Sequence, residues 1–513
     1  MRLQPLGVKV IHLVLLNILA IMGLSFNTGT YALQKESEQI NATIKQQLPN
    51  TAVGILVQDA KTGDTLYEHR SNEPFVPASL TKLLTSTAAL YELGTEFHYE
   101  TTLAKDKEGN IYLQFTGDPS FKDSDLKALI QNLKTQNIQE IKGNLIIDNT
   151  RFELPQYGWG WSWNSLCWGF SAPVTAVMIN ENQIKVNITP GKVIGEKATL
   201  SLAPDETLIV PITDDVMTVS EYDAEETCQI ILDMNDNNQV NARGCWPVKT
   251  YAAAKAETDK KETEVVAETE AKPTTESAKM EAPKPEFDVL KLAIRNPDQL
   301  LKSLVVKLLA EEQINLKGQI MFGRIPPGTE NVYKHSSGNL LALLGPVLRD
   351  SNNLYSDSLM KTLGYARSQR GTFHAGIRAI QASLQEHTKL EPKQYSLWDG
   401  SGLSSYNFVT PQQFATVLQT IYQHKEFYPL INELLAHSGE TGTLQERINN
   451  PELKGKIRAK TGSKRGIASL AGYLTTKSNR ELIFVIMTEQ AVGDRSNLSQ
   501  FEKEICGILF NIE

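Results

Sequence analysis

The first patterned stretch after residue 50 is AVGILVQD, nearly continuous in apolar residues. A polar DAKTGD and an alternating TLYEH follow, which predicts strand, turn and strand. Residues 77–90, PASLTKLLTSTAAL, switch to helical spacing, with Leu80, Leu83, Leu84, Ala88 and Ala89 on one side. Short strands then alternate with turns over 99–147, around one helical stretch at 126–133. The run 287–314 is helical in period, and helices also fit 338–364 and 410–436. The end of the chain alternates: strands at 466–474 and 481–489 flank a turn at Ser478-Asn479, before a last helix from about Leu498. No internal repeat is present.

Two segments fall outside this pattern. Residues 251–286 are dominated by Ala, Glu, Lys, Thr and Pro and nearly lack large apolar side chains, which predicts a solvated linker or disordered insertion. At the start, Arg2 and Lys9 precede an apolar run from Val10 to about Phe26, and Thr30-Tyr31-Ala32 offers a cleavage site. This reads as a signal peptide, 1–32, exporting the protein to the periplasm. An uncleaved anchor is the alternative; the run is short for a span and carries His12 and Asn17.

A length of 513 residues allows two to four domains. Net charge is −8 and no basic block stands out, so a nucleic-acid partner is not expected. Four of the six tryptophans crowd into 151–170, as core or as the wall of a cleft. Of the four cysteines, Cys228 and Cys245 flank two strand-like runs around an Asp-Asn-Asn turn, a hairpin that could join them in an oxidising compartment. No His/Cys spacing suggests zinc.

Chemistry enters at Ser79 and Lys82. One turn apart on a helix, a serine and a desolvated lysine form a nucleophile and its base. The bland alternative is an N-cap serine and a snorkelling lysine. Ser124/Lys127 and Ser358/Lys361 repeat the spacing, so the motif alone decides little. Two further motifs give it an order. Ser351-Asn352-Asn353 supplies a hydroxyl and an amide at a helix start, although Ser162/Asn164, Ser337/Asn339 and Ser405/Asn407 share the spacing. Lys460-Thr461-Gly462 leads into strand-like sequence, whereas Lys61-Thr62-Gly63 reads as a hairpin turn. Ser-x-x-Lys, Ser-x-Asn and Lys-Thr-Gly, in that order, form the serine β-lactamase and penicillin-binding protein set.

With PASLTKLLT, TGDPSF (116–121), IKGNLIIDNTRF (141–152), GWSWNS (160–165), DGSGLS (399–404), TGTLQER (441–447) and AKTGS, the chain resembles the class C low-molecular-mass penicillin-binding proteins. These are D-alanyl-D-alanine carboxypeptidases/endopeptidases of the penicillin-binding protein 4 type. The resemblance implies an α/β (α+β) fold, with a serine β-lactamase/transpeptidase-like domain split by two inserted β-rich domains. The catalytic domain would take 34–99 and 330–513. A second domain would take 100–195 and 287–329, with a third, 196–286, nested in it and containing the linker.

The resemblance also implies roles. Ser79 would be the acylated nucleophile and Lys82 its base. Ser351 would relay the proton, and Asn353 would orient Lys82 and the substrate amide. Lys460 and Thr461 would receive the terminal carboxylate, Gly462 would let the substrate backbone come close, and the N–H groups of Ser79 and Ser463 would form the oxyanion hole. The substrates would be peptidoglycan stem peptides, with β-lactam antibiotics as covalent inhibitors and no metal or cofactor. A peripheral membrane or cell-wall association stays open. Where the family often carries an acidic residue after Gly-Trp-x-Trp, this chain has Asn164-Ser165, which puts recognition of a stem amino group by that route in doubt. A β-lactamase is one rival reading, but no Glu-x-x-x-Asn motif occupies the place of a class A deacylating base. A non-catalytic cell-wall binding protein that keeps the fold is the other.

Overall fold

The computed structural model describes residues 27–248, 287–492 and 495–513. Residues 1–26 of the predicted signal peptide and the predicted linker 251–286 lie outside them. Among the described residues no helix is long and apolar enough to cross a membrane.

The main sheet has six antiparallel strands, in the order Ala436–His437, Ile457–Lys464, Ile467–Thr475, Glu481–Glu489, Ala52–Asp59, Thr65–His69. Both faces are covered, which explains the nearly continuous apolar runs in its central strands. Successive side chains point to opposite faces. Leu482, Phe484 and Ile486 pack with Val53, Ile55 and Val57 against Ile40, Phe501 and Ile505, from the Asn27–Gln47 and Arg495–Phe510 helices. Ile483, Val485 and Met487 face a helical layer instead. That layer includes Leu83 and Leu84 of the Thr81–Leu93 helix, Leu359 of the Asn353–Ser368 helix and Phe414 of the Pro411–Gln423 helix.

A five-stranded sheet is inserted between these elements, in the order Ile320–Phe322, Leu145–Asp148, Ile111–Gln114, Glu100–Lys105, Glu330–Ser336. Two three-stranded sheets adjoin it. One joins Asp288–Ala293, Gln183–Thr189 and Thr199–Leu202; the other joins Ile231–Met234, Val240–Pro247 and Ile212–Val219. Buried side chains from all three sheets, including Leu113, Val186 and Val240, belong to one apolar cluster.

The expected boundaries need correction. Glu330–Ser336 pairs antiparallel with Glu100–Lys105, so the returning chain leaves the inserted sheet after Ser336, not at 330. Thr199–Leu202 pairs with Gln183–Thr189, so a division at 195 cuts a sheet. The run 287–314 is not one helix. Asp288–Ala293 alternates as a strand, and the Pro297–Glu311 helix starts only after Asn296, whose side chain accepts from Gln299 N at 3.1 Å. The stretches 338–364 and 410–436 are each two helices, and a further helix, Phe373–Thr388, is missing from the pattern reading. The disulfide expectation holds: Cys228 and Cys245 are bonded, with Cα atoms 5.9 Å apart, across the hairpin of Ile231–Met234 and Val240–Pro247.

Candidate active site

Ser79 sits in a single 3-10 turn, Ala78–Leu80, which runs directly into the Thr81–Leu93 helix. Ala78 is held at φ +47°, an uncommon conformation for a residue with a Cβ. Close packing accounts for it. A Cβ at Gly402 would meet Ala78 O at 1.8 Å, so the 399–404 loop lies tight against the turn. The Ser469 hydroxyl donates to Pro77 O at 2.8 Å from the other side.

Lys82 is fully buried, and each contact of its Nζ is to an oxygen. It donates to Ser79 Oγ at 2.9 Å, to Asn353 Oδ1 at 2.6 Å and to the Ser401 carbonyl at 2.6 Å. Burial pulls its pKa down to about 8, against the opposing charges of Asp357 and Asp399. Near neutral pH a minority of such amines is unprotonated and ready to take a proton, a far larger share than for an ordinary lysine.

Ser351 and Asn353 come from the break between the Leu340–Leu348 and Asn353–Ser368 helices. Ser351 has φ +63°, which turns its hydroxyl out of the helical path. Its Oγ accepts from Lys460 Nζ at 2.8 Å. Asn353 bridges, with Oδ1 to Lys82 and Nδ2 donating to Phe170 O at 2.7 Å. Asn352 caps the helix between them, accepting from Tyr355 N at 3.2 Å.

Lys460, Thr461, Gly462 and Ser463 lie on Ile457–Lys464, next to the Ser79 turn. Lys460 is fully buried and also donates to Thr461 O at 2.8 Å. Its pKa is held well below the usual lysine range, first by burial and then by the nearby Lys82 charge. The Thr461 hydroxyl donates to Thr443 Oγ1 at 2.7 Å. A Cβ at Gly462 would stand 3.1 Å from Ser79 N and 2.8 Å from Pro77 O, so glycine is what lets strand and turn touch. Ser463 Oγ accepts from Arg447 at 3.1 Å, and Arg447 pairs with the buried Glu502.

All three motifs therefore meet, and the repeats do not. Ser358 and Lys361 lie on the same helix as Asn353 but point elsewhere. Ser358 donates to Gly117 O at 2.5 Å, while Lys361 Nζ donates to the carbonyls of Glu153, Pro155 and Val174 at 3.0, 3.0 and 2.9 Å. Ser124 and Lys127 are exposed, and Lys61-Thr62-Gly63 is a hairpin turn whose N–H groups bond Asp59. Ser162 and Asn164 bond one another at the exposed surface, and Asn339 caps a helix.

Other side chains at the site escaped motif reading. Asp399, fully buried, accepts from Trp161 Nε1 at 2.8 Å and from Gly402 N at 2.9 Å, fixing the loop whose Ser401 carbonyl holds Lys82. Asp357 accepts from Gly400 N at 2.7 Å; burial and the Asp399 charge raise its pKa to about 8. Lys464 reaches the same loop, donating to Leu403 O at 2.6 Å. A glycine-rich Asp-Gly-Ser-Gly was a signal for such a loop, but nothing in its spacing said what it would touch. The tryptophan-rich stretch is mixed. Trp161 supports Asp399, Trp168 packs against the inserted core, and Trp159 and Trp163 are exposed.

The model of the D-Ala-D-Ala carboxypeptidase 3 (S13) family matches residues 36–278 and 282–511. The D-alanyl-D-alanine carboxypeptidase DacB of Haemophilus influenzae is 26% identical over 509 residues, which cover 96% of this chain and 97% of the relative. A D-alanyl-D-alanine carboxypeptidase of Actinomadura sp. is 26% identical, covering 89% of this chain and 81% of its own. The crystal structure of penicillin-binding protein 4 (dacB) from Haemophilus influenzae superposes with a TM-score of 0.78 at 25% identity, covering 92% of this chain and 99% of that one.

Proposed function

The chain belongs to the D-Ala-D-Ala carboxypeptidase 3 (S13) family and is a D-Ala-D-Ala carboxypeptidase; from that premise we propose that it acts on peptidoglycan stem peptides through an acyl-enzyme on Ser79. The observation that carries the reading is the meeting of Lys82 with both Ser79 Oγ and Asn353 Oδ1, beside the Lys460–Ser351 bond.

In the acylation step Lys82, as the free amine, takes the Ser79 proton. Oγ attacks the carbonyl of the penultimate D-alanine, and the N–H groups of Ser79 and Ser463 hold the oxyanion. Because Ser351 Oγ already accepts from Lys460, its own proton is free to point at the leaving nitrogen. The C–N bond breaks, and the Ser79 proton ends, through Ser351, on the departing amine. Water then attacks the ester carbonyl and gives a proton to Lys82, the bond from the acyl carbon to Oγ breaks, and Lys82 returns that proton to Ser79 Oγ. The terminal carboxylate sits at the Thr461 and Thr443 hydroxyls with the Lys460 amine behind them. A β-lactam presents the same carboxylate beside a strained amide, and so acylates Ser79 as an inhibitor. The same chemistry extends to cross-links that end in D-alanine, an endopeptidase activity in the periplasm.

The test is labelling with a fluorescent penicillin, mass spectrometry of the adduct and assay of D-alanine release. A stable adduct on the Ser79 peptide with D-alanine release is expected. Rapid turnover of the drug would point to a β-lactamase, and the absence of an adduct to a binding protein without catalysis.

A further inference from the structure

We infer that Glu181, on the inserted part of the chain, is a positioning residue for this reaction: it clamps Asn352, and thereby fixes the Ser351 hydroxyl and the Asn353 amide on either side. The inference rests on the reading just given.

Both ends of the Asn352 amide are engaged. Its Oδ1 accepts from Tyr355 N, and its Nδ2 donates to Glu181 Oε2 at 2.7 Å. The first bond is an ordinary N-cap. The second reaches 171 residues away, to a carboxylate, and charge-assisted bonds are the shorter and stronger kind. The turn it grips needs gripping. Ser351 has φ +63°, a conformation that favours glycine, and its hydroxyl must meet Lys460 while Asn353 meets Lys82.

Glu181 is itself presented by unusual backbone. Asn180, Glu181 and Asn182 have φ of +48°, +61° and +51°, three consecutive non-glycine residues in the left-handed region. Such a run persists only where its surroundings over-determine it, and they do. The fully buried Asn182 donates to Pro173 O at 3.0 Å and accepts from Ile179 N at 3.2 Å, while Asn180 N donates to Phe121 O at 3.0 Å. A helix start needing only a cap would require none of this. The neighbouring Phe170 carbonyl, which accepts from Asn353, is a second tie from the same inserted part.

The experiment measures, in the full chain, the pre-covalent affinity for a penicillin and the rate of acylation separately. E181A is expected to slow acylation about tenfold with affinity changed less than about twofold. N352D keeps the cap but loses the donor and opposes two carboxylates, so it is expected to be at least as slow. E181Q/N352D re-forms the bond with its polarity reversed, amide donating to carboxylate, and is expected to recover to within about threefold of the unaltered protein. Unchanged acylation in folded E181A, even with a lower Tm, would overturn the inference and leave a merely structural tie. Failure of the folded double variant to recover would overturn it too, because the charge at 181 rather than the clamp would then matter. Failure of the unaltered protein to acylate would count against the proposed function instead.

Discussion

Lys460 Nζ donates to Ser351 Oγ at 2.8 Å, across 109 residues of sequence, from a position with no solvent exposure. The lysine therefore bears on Ser351, the proposed proton relay, as well as on the carboxylate that its motif is expected to read. Removing one partner of a buried hydrogen bond and leaving the other unsatisfied costs about 1–3 kcal/mol. Lys460→Ala is expected to cut acylation by roughly one to two powers of ten. Amidating the terminal carboxylate of a peptide substrate should cost the unaltered enzyme a similar amount and the variant little more. If the two losses simply add, Lys460 and the carboxylate are independent. Lys61, in the hairpin copy of the motif, should tolerate alanine.

Acylation should rise with pH through the neutral range. Burial lowers the Lys82 pKa to about 8. Below that value the amine is protonated and cannot accept the Ser79 proton; above it, the base is free. The ascending limb of the acylation rate is expected to bend near pH 8, an apparent value that belongs to the Lys82 and Asp357 pair, since burial and the Asp399 charge raise the Asp357 pKa to about 8. A rate flat from pH 6 to about 10 would exclude Lys82 as the base.

Lys361 gives a different expectation from the same Ser-x-x-Lys spacing. Its Nζ serves three carbonyls, and it lies 4.8 Å from the centre of the Phe373 ring. Lys361→Met leaves those carbonyls without their donor, and each buried unsatisfied group costs about 1–3 kcal/mol. A fall in Tm of several degrees is expected, with penicillin still bound at Ser79 in the folded fraction. Ser79→Ala should do the reverse, abolishing the label with Tm nearly unchanged. Thermal unfolding and adduct mapping on both variants separate the two roles.

The Cys228–Cys245 disulfide closes a loop with a sequence separation of 17. Closing such a loop contributes about 3 kcal/mol. Replacing both cysteines by serine should lower the unfolding midpoint in denaturant and leave the acylation rate unchanged, since the hairpin lies within the inserted core, not among the residues around Ser79.

The main sheet was readable because burial on both faces makes an apolar run unmistakable, as in ELIFVIMTE. The turn at Ser351 was harder. Periodicity runs straight through 338–364, yet the chain breaks there at Ser351, in backbone geometry that helical spacing does not encode. Motif spelling found Ser351 where periodicity could not. It could not find Asp399, Arg447 or Glu181, whose importance lies in what they touch 238, 16 and 171 residues away. The strand at Asp288–Ala293 was lost for another reason: six residues of alternation, read next to a long helix, look like its first turns.

The order of strands in the main sheet has a consequence for biosynthesis. Ala52–Asp59, near the start of the chain, pairs with Glu481–Glu489, near its end, and Ser79 rests against Gly462. A chain emerging amino-terminus first makes Ser79, the proposed nucleophile, early. The amine beside it must wait 271 residues for Asn353, and the strand that flanks the serine comes later still. Copies that end before Asn353 thus carry the serine without these partners, and are expected to take up no label. An antibiotic that marks the serine is then expected to count copies that have reached the Ile457–Lys464 strand rather than total polypeptide.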